Sequence, residues 1–432
     1  MQEFSRRRQQ LINHMQAGIA IIPTAPEVTR NRDSHYPYRF DSYFYYLTGF
    51  KEPEAVLVLM AGPQPKSILF CRDKDLDREI WDGFRYGPEA AKTVFGFDEA
   101  YSITQLDTEL PKLMANQPAL HFSLGADNAW DSKVTAWLNA VKAQTRSGMQ
   151  APAQLLDVRQ ALDAMRLLKS SEEMDVMRRS AQIAATAHNR AMQHTRPGQW
   201  EYEVEAEFLH TFYRHGAQAP AYTSIVAGGA NACTLHYNFN NAQLKDGDLL
   251  LIDAGCELDG YASDITRTFP VNGRFSGPQK DLYELVLAAQ AAALGKVNTQ
   301  QHWNAPHEAA LEVLVDGFIH YGLCQGSRDA VLETGSYRQF YMHRTGHWLG
   351  LDVHDAGEYK TADGAWVMLQ PGHVLTVEPG CYVRPADNVP PHFWNIGIRI
   401  EDDVLVTEHG HEVLTAAAVK TVADIEALMA QR

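Results

Sequence analysis

The apolar run Leu249–Ile252 ends on a carboxylate, Asp253, and a second carboxylate, Asp264, returns eleven residues later in the stretch DAGCELDGYASDIT. An ionised group at the end of a buried strand loses its hydration and is tolerated only where something neutralises it. Read as a hairpin with Leu258 and Asp259 at the centre of its turn, the stretch sets the two aspartates opposite each other on one face, with Cβ atoms about 5 Å apart. A turn centred on Asp259-Gly260, the better type I′ pair, shifts that register by one and needs a bulge to restore the match. Carboxylates so close cannot both stay ionised without a cation between them or a shared proton, and a metal ion resolves the conflict. The plainer alternative is a pair of solvated turn residues or helix caps, the usual fate of aspartate. The rest of the sequence weighs against it.

Further donors follow in the second half of the chain. FYMHRTGHWLGLDVHD carries His343, His347 and His354 within twelve residues, in a Gly-interrupted segment too broken for a helical zinc pair. VLTVEPGCY presents Glu378 where Pro379 and Gly380 must stop a strand. GIRIEDDVLV alternates, placing Ile398 and Ile400 on one face and Arg399 with Glu401 on the other. Taken singly, these are a core histidine, a turn residue and a solvated strand face. Together, Asp253, Asp264, His347, Glu378 and Glu401 make four carboxylates and one imidazole, an oxygen-rich set suited to Mn²⁺, with Co²⁺, Zn²⁺ or Fe²⁺ as competitors. Four carboxylates exceed the need of one ion. Two ions roughly 3.5–4 Å apart, bridged by carboxylates and water, would balance the charge and generate hydroxide near neutral pH, so hydrolysis is the expected reaction.

Composition narrows the setting. At 432 residues, with 45% hydrophobic and 21% charged, the chain is long enough for two globular domains. No stretch approaches the roughly 20 apolar residues of a membrane helix. The start, MQEFSRRRQQLINHMQAG, is basic but has neither the apolar centre nor the cleavage site of a secretory signal, so a cytoplasmic location is expected. Five scattered cysteines without a C-x-x-C pair argue against a disulfide framework or a thiolate zinc site. A net charge of −15 repels a phosphate backbone, and with no Lys/Arg stripe interleaved with aromatics this argues against nucleic acid as a partner.

The best domain junction lies near residues 160–170. There Ser170 with Glu173 fits a capping box, and Met174, Met177, Ala181, Ala184, His188 and Ala191 follow at helical spacing. Pro197 and Gly198 break that helix, and Val204, Phe208 and Phe212 mark a second one that stops at Gly216. Upstream, strand-like runs (GIAIIP, EAVLVLM, SILFC) alternate with helical ones (DTELPKLMAN, DSKVTAWLNAVKAQ), which predicts a smaller α/β domain.

These motifs resemble aminopeptidase P, the X-Pro aminopeptidase, within the pita-bread metallopeptidases that include prolidase and methionine aminopeptidase. The similarity runs through YPYRFDSYFYYLTGFKEPEAVLVL, REIWDG, LHYN, DAGCELDGYASDITRTFPVNG, HWLGLDVHD, LTVEPG and GIRIEDD, in family order. It implies an α+β chain: a creatinase-like α/β domain over residues 1–166, then a catalytic pita-bread domain over 167–432 whose two pseudo-symmetric halves surround a curved antiparallel sheet. By the same resemblance Asp253 chelates one metal, Asp264 and Glu401 bridge both, and His347 and Glu378 complete the other. It further implies that His236, His343 and His354 line the substrate site, where they stabilise charge on the scissile carbonyl oxygen. In that family scheme a bridging hydroxide attacks the X-Pro carbonyl and Glu378 shuttles its proton.

Tyr222, Tyr382 and Arg399 are expected to shape the substrate pocket, with Arg399 favoured as support for Glu401. Trp81 is similar to a family tryptophan that reaches a neighbouring subunit's active site, and a homo-oligomer, tetramer or dimer, is the family expectation. One segment departs: GEYKTADGAWVMLQPG, between His354 and Glu378, is longer than the family pattern and lacks its arginine. The expected activity is a manganese aminopeptidase acting on peptides with proline second. Prolidase is the near rival and a non-catalytic pita-bread binding module the distant one.

Overall fold

The computed structural model describes residues 2–431, and the chain forms two compact units, Met1–Met165 and Arg166–Arg432. In the first unit, Gly18–Pro23, Val56–Ala61 and Lys66–Cys71 pair antiparallel, and Glu99–Ser102, Ala119–His121 and Gln154–Leu156 extend the sheet at its two edges in parallel. The central strands are buried on both faces, which is why their sequences read as continuous β-branched and leucine runs rather than as alternation. Ile19, Ile21, Val58, Ile68 and Phe70 pack on one side against Leu110, Met114, Val134 and Trp137 of the two helices predicted from DTELPKLMAN and DSKVTAWLNAVKAQ.

The second unit opens with the helix Ser171–His194, whose N-cap is Ser170 and whose capping box with Glu173 is present as the sequence predicts. The next helix, Glu201–Arg214, gives way to Gly216, whose φ of +87° needs a residue without Cβ strain. A second helix pair, Gly277–Leu294 and Ala305–His320, follows later in the chain. Each pair precedes a set of antiparallel strands, and the strands bury their inner residues with those of the helices in one core that includes Phe208, Phe212, Ile252, Phe269, Leu314, Phe318, Ile398 and Val404.

The two halves deliver carboxylates in the same way. In the first, Leu249–Asp253 pairs with Thr266–Pro270; in the second, Val374–Val377 pairs with Asp402–Thr407. Asp253 ends one outgoing strand and Glu378 follows the other, while Asp264 and Glu401 stand just before the two return strands. The strands of the two halves meet where the Glu401 N–H donates to the Thr266 carbonyl (3.0 Å) and the Thr268 hydroxyl donates to the Arg399 carbonyl (3.0 Å).

One expectation is corrected here. The turn is centred on Asp259 and Gly260, with φ of +49° and +84°, so the type I′ pair wins over Leu258-Asp259. Asp253 therefore faces Thr266, and Leu258 faces Tyr261. Asp264 lies diagonal to Asp253, against Gly255, where a Cβ would sit only 1.6 Å from the Ser263 carbonyl oxygen.

Beneath this junction lies a buried ionic cluster. Arg267, fully buried, donates to Asp402 (2.7 Å) and to the carbonyls of Ala418 (2.9 Å) and Glu401 (2.5 Å); Asp402 also accepts from Lys420 (2.6 Å), Gln290 (2.9 Å) and Thr415 (2.7 Å). Burial pushes the Asp402 carboxyl upward, but Arg267 and Lys420 outweigh it and hold it at about 2. Deleting one partner of such a pair strands the other's charge. Asp402→Ala is expected to cost about 3–5 kcal/mol in urea unfolding monitored by circular dichroism; a loss below about 1 kcal/mol would contradict this account.

Candidate metal centre and active site

Strand geometry gathers the predicted donors at one end of a cavity of about 840 Å³, whose wall includes Tyr222, His236, Asp253, Asp264, His343, His347, His354, Glu378, Arg399 and Glu401. Donor atoms of Asp264, His347 and Glu401 lie within 4.8 Å of one another. Glu378 approaches the same His347 nitrogen at 3.8 Å, and Asp264 does so at 3.4 Å. Asp253 joins through Tyr222, whose hydroxyl lies 2.5 Å from Asp253 Oδ1 and also contacts Asp264 Oδ1. A single hydroxyl proton cannot satisfy two carboxylates.

Charge is correspondingly unbalanced. Burial, then the neighbouring Asp264, Glu378 and Asp253, raise the Glu401 carboxyl well above the usual range; burial and Asp253 raise Asp264, and burial lifts Glu378 to about 7. For Asp253 burial acts upward too, but the Arg399 guanidinium at 2.6 Å outweighs it and keeps the carboxyl low. His347 is pushed up to about 9: burial opposes its charge, and the hydrogen bond and charges of Asp264 and Glu378 prevail. The cluster thus takes up positive charge wherever it can find it. Hard oxygen donors with one imidazole fit a divalent cation.

Around this centre the histidines divide. Both ring nitrogens of His343 are engaged, Nδ1 donating to the Arg344 carbonyl (2.7 Å) and Nε2 accepting from the Tyr382 hydroxyl (2.8 Å). Burial and Arg399 hold its pKa down to about 3, so the ring is neutral. His236 and His354 are exposed in the cavity wall, and His354 meets His347 edge to face at 4.3 Å between ring centroids. The His236 loop is fixed from behind by Glu201, which accepts hydrogen bonds from Gly228 (2.8 Å), Asn231 (3.0 Å), Tyr237 (2.8 Å) and Ala242 (2.9 Å).

Two sequence expectations change. Arg399 hydrogen-bonds Asp253 and not Glu401; its charge acts on Glu401 across space, and its hydrogen-bonded link to Glu401 runs through Thr266, whose hydroxyl accepts from Arg399 Nε (3.1 Å) and donates to Glu401 Oε2 (2.7 Å). Tyr382 is fully buried, with its hydroxyl taken up by His343 and Arg399 (2.9 Å), so it stands behind the cavity wall instead of shaping the pocket surface. Trp81 stands on the N-terminal unit, 83% exposed. Thr266 and Glu201 escaped the sequence reading because neither stands in a stretch that draws attention to it: threonine is common in strands, and a glutamate at a helix start reads as an ordinary first-turn acid.

The segment between His354 and Glu378, expected from the sequence to depart from the family pattern, folds back on itself through a bridge between Lys360 and Trp366. Trp366, Tyr359 and Trp303 wall the cavity, with the Arg344 guanidinium 5.2 Å from the Trp366 ring centroid.

Such an arrangement, paired carboxylates and an imidazole at the strand ends of two matching halves, defines a metallohydrolase site. The chain belongs to metallopeptidase family M24, whose model matches residues 175–408, and residues 4–121 match the aminopeptidase P N-terminal domain. It is 45% identical to the Xaa-Pro aminopeptidase of Escherichia coli over 99% of this chain and 97% of that protein. Among solved structures it is similar to Pseudomonas aeruginosa aminopeptidase PepP (49% identity, TM-score 0.98, covering 100% and 98% of the two chains). A zinc-substituted E. coli aminopeptidase P in complex with product superposes with a TM-score of 0.97 at 45% identity, covering 100% and 98%. The α+β class and the pita-bread domain expected from the motifs are therefore established.

Because the Thr266 hydroxyl links Glu401 to Arg399 by hydrogen bonds, Thr266→Val is expected to lower metal affinity or turnover about 10- to 100-fold with the fold intact. Metal titration and circular dichroism check this; parental values in both metal affinity and turnover would refute it.

Proposed function

We propose that this M24 metallopeptidase removes the N-terminal residue from peptides whose second residue is proline. The observation that carries this reading is the anionic cluster of Asp264, His347 and Glu401, flanked by Asp253 and Glu378, at the base of a cavity with aromatic walls. In our assignment Asp253, Asp264, His347, Glu378 and Glu401 would hold two divalent ions, Asp253 serving the first, His347 and Glu378 the second, and Asp264 and Glu401 both. Mn²⁺ is the favoured ion, and Co²⁺ or Zn²⁺ competes for the same donors. When bound, the ions supply Lewis-acid polarisation of the scissile carbonyl and a water acidic enough to attack at neutral pH.

The chain's own residues do the rest. The X-Pro bond is a tertiary amide without an N–H, so the site must recognise ring shape and carbonyl oxygen. His236 and His354, exposed in the cavity, can donate to the carbonyl as charge develops on it. Glu378 takes the proton released by the attacking water and returns it to the proline nitrogen as the bond breaks. His343, neutral and tied at both nitrogens, lines the substrate cavity as a fixed ring beside Glu378. Tyr222 and Arg399 hold the two carboxylates of the first half in place.

We assign residues 1–166 to the N-terminal domain and 167–432 to the catalytic one. A homo-oligomer, tetramer or dimer, is in keeping with the exposed apolar group Leu76, Ile80, Trp81 and Phe84, on which Trp81 would meet a neighbouring subunit's site. Five buried free thiols suit a cytoplasmic enzyme, and no described helix is long and apolar enough to cross a membrane.

The test is cleavage of an Arg-Pro-Pro peptide against an alanine-for-proline control, with and without chelator. Release of arginine from the first alone, abolished by chelator, is expected; equal cleavage of both, or indifference to chelator, sinks the proposal. Activity confined to Xaa-Pro dipeptides would redirect it to prolidase.

Substitutions separate the roles. Asp264→Ala or Glu401→Ala should abolish turnover with loss of metal, because each ligand serves both ions. His236→Ala should keep its metal, as read by elemental analysis, while kcat falls about 100-fold or more, as for loss of a transition-state donor. Loss of metal in the His236 variant would contradict this division.

A further inference from the structure

A second buried charge cluster lies outside the cavity, and no residue of it touches the reacting groups. Arg166 donates to Asp355 Oδ1 (2.6 Å) and to Asp352 Oδ2 (2.7 Å), and Lys169 Nζ donates to Asp355 Oδ2 (2.8 Å). The side chains of Arg166, Lys169 and Asp355 are each 1% exposed, and Asp352 is 41% exposed. Two cations thus meet two carboxylates. These cations come from the residues that lead into the helix Ser171–His194, whereas the carboxylates lie in the loop that carries His347 and His354.

The consequence lies in that loop. The Asp355 N–H donates to the Trp348 carbonyl (2.9 Å), closing the loop on itself, and the same carbonyl accepts from His347 Nδ1 (3.0 Å). A proton held on Nδ1 leaves Nε2 facing Asp264, 3.4 Å away. The Gly350 carbonyl accepts from the Ala262 N–H (2.8 Å), two residues before Asp264. Gly350 also passes so close to the ion pair that a Cβ there would lie 2.2 Å from Asp355 Oδ2 and 3.0 Å from Lys169 Cε. The Lys169 backbone N–H is itself fixed to the Gly372 carbonyl (2.9 Å).

We propose that Lys169 and Arg166 are positioning residues: acting through Asp355, they lock the Trp348–Asp355 loop so that His347 points Nε2 at the carboxylate cluster and His354 faces the substrate cavity. The inference rests on the assignment of those two histidines given above. An ion pair this deep is weak as a source of stability, since apolar replacements of similar volume often do as well. Its two-point grip on one carboxylate fixes where the loop lies, which an apolar contact does not.

The test uses the full-length enzyme and Mn²⁺ alone as the calorimetric probe. Lys169→Met removes one grip on Asp355; Gly350→Ala wedges the pair apart without removing a charge. Each variant is expected to keep the parental circular dichroism spectrum, bind Mn²⁺ about tenfold more weakly and lose about tenfold in kcat/KM. Combined with His354→Ala, Lys169→Met should cost clearly less than it costs alone, because part of its effect passes through that ring. If Lys169→Met fails to fold, the wedge variant carries the same test. Folded variants with parental Mn²⁺ affinity, or a Lys169→Met loss that is the same in both backgrounds, overturn the proposal. Parental kinetics in His354→Ala alone would instead remove the substrate role given to His354, while the Mn²⁺ titration still decides whether the lock acts on His347.

Discussion

Mutual repulsion among carboxylates is the constraint on which the catalytic unit turns. Asp253, Asp264, Glu378 and Glu401 are brought to one place at which burial and their own charges raise three of the four carboxyls. A fold that merely sought stability would splay such groups into water. Here each half of the unit delivers one carboxylate as a strand leaves the sheet and another as the chain returns, and main-chain pairing prevents their escape. The energy that holds them comes from the surrounding apolar core and from cationic neighbours. Arg399 relieves Asp253 directly, and Arg267 with Lys420 neutralises Asp402, the residue beside Glu401. The protein's own cations thus relieve Asp253 and Asp402, while Asp264, Glu378 and Glu401 keep the raised carboxyls that suit a divalent cation.

How much of this was legible in the sequence follows from what kind of interaction each feature needs. Helix starts were readable because they are local: Ser170 and Glu173 cap their own helix, and Gly216 lies just past the end of its own. Buried strands of the first unit were readable because both faces are apolar. The clustering of Asp253, Asp264, Glu378 and Glu401 was readable because carboxylates at strand ends are chemically out of place. Register was not, since choosing between Leu258-Asp259 and Asp259-Gly260 depends on backbone twist, and the positive φ of Asp259 is a cost that only the complete hairpin shows to be accepted. Partners of the donors were equally hidden. Arg399 lies two residues from Glu401 in sequence and on the same strand face, yet its guanidinium reaches across to Asp253, 146 residues away.

The supporting residues share a logic that explains their distance in sequence. Glu201 secures the loop of His236 from the second helix of the unit, and Arg166 with Lys169 secures the loop of His354 from the segment before the first. Both are charged, both are buried, and both act on loops that must lie open to substrate on their other side. A loop that faces a cavity has lost half of the apolar contacts that would otherwise hold it. Charged hydrogen bonds from behind are directional, and a carboxylate can gather several donors at once: Glu201 takes four and Asp355 takes three.

Specificity for proline fits the same division between a rigid base and an open rim. An X-Pro bond offers no N–H, so an enzyme that relied on the usual backbone contact would leave its own acceptor unpaired. This cavity answers with aromatic surface, Trp303, Tyr359 and Trp366, above a polar floor. Trp366 and Tyr359 come from the segment between His354 and Glu378, and Arg344, spread over the Trp366 face, comes from the loop that carries His343 and His347. The chemistry at the floor is bound by the symmetry of the two halves and has little freedom to vary. The aromatic wall comes from three segments outside that symmetry, those of Trp303, Arg344 and the Tyr359–Trp366 stretch, so it is the part through which the chain can tune which peptides reach the carboxylates without disturbing them.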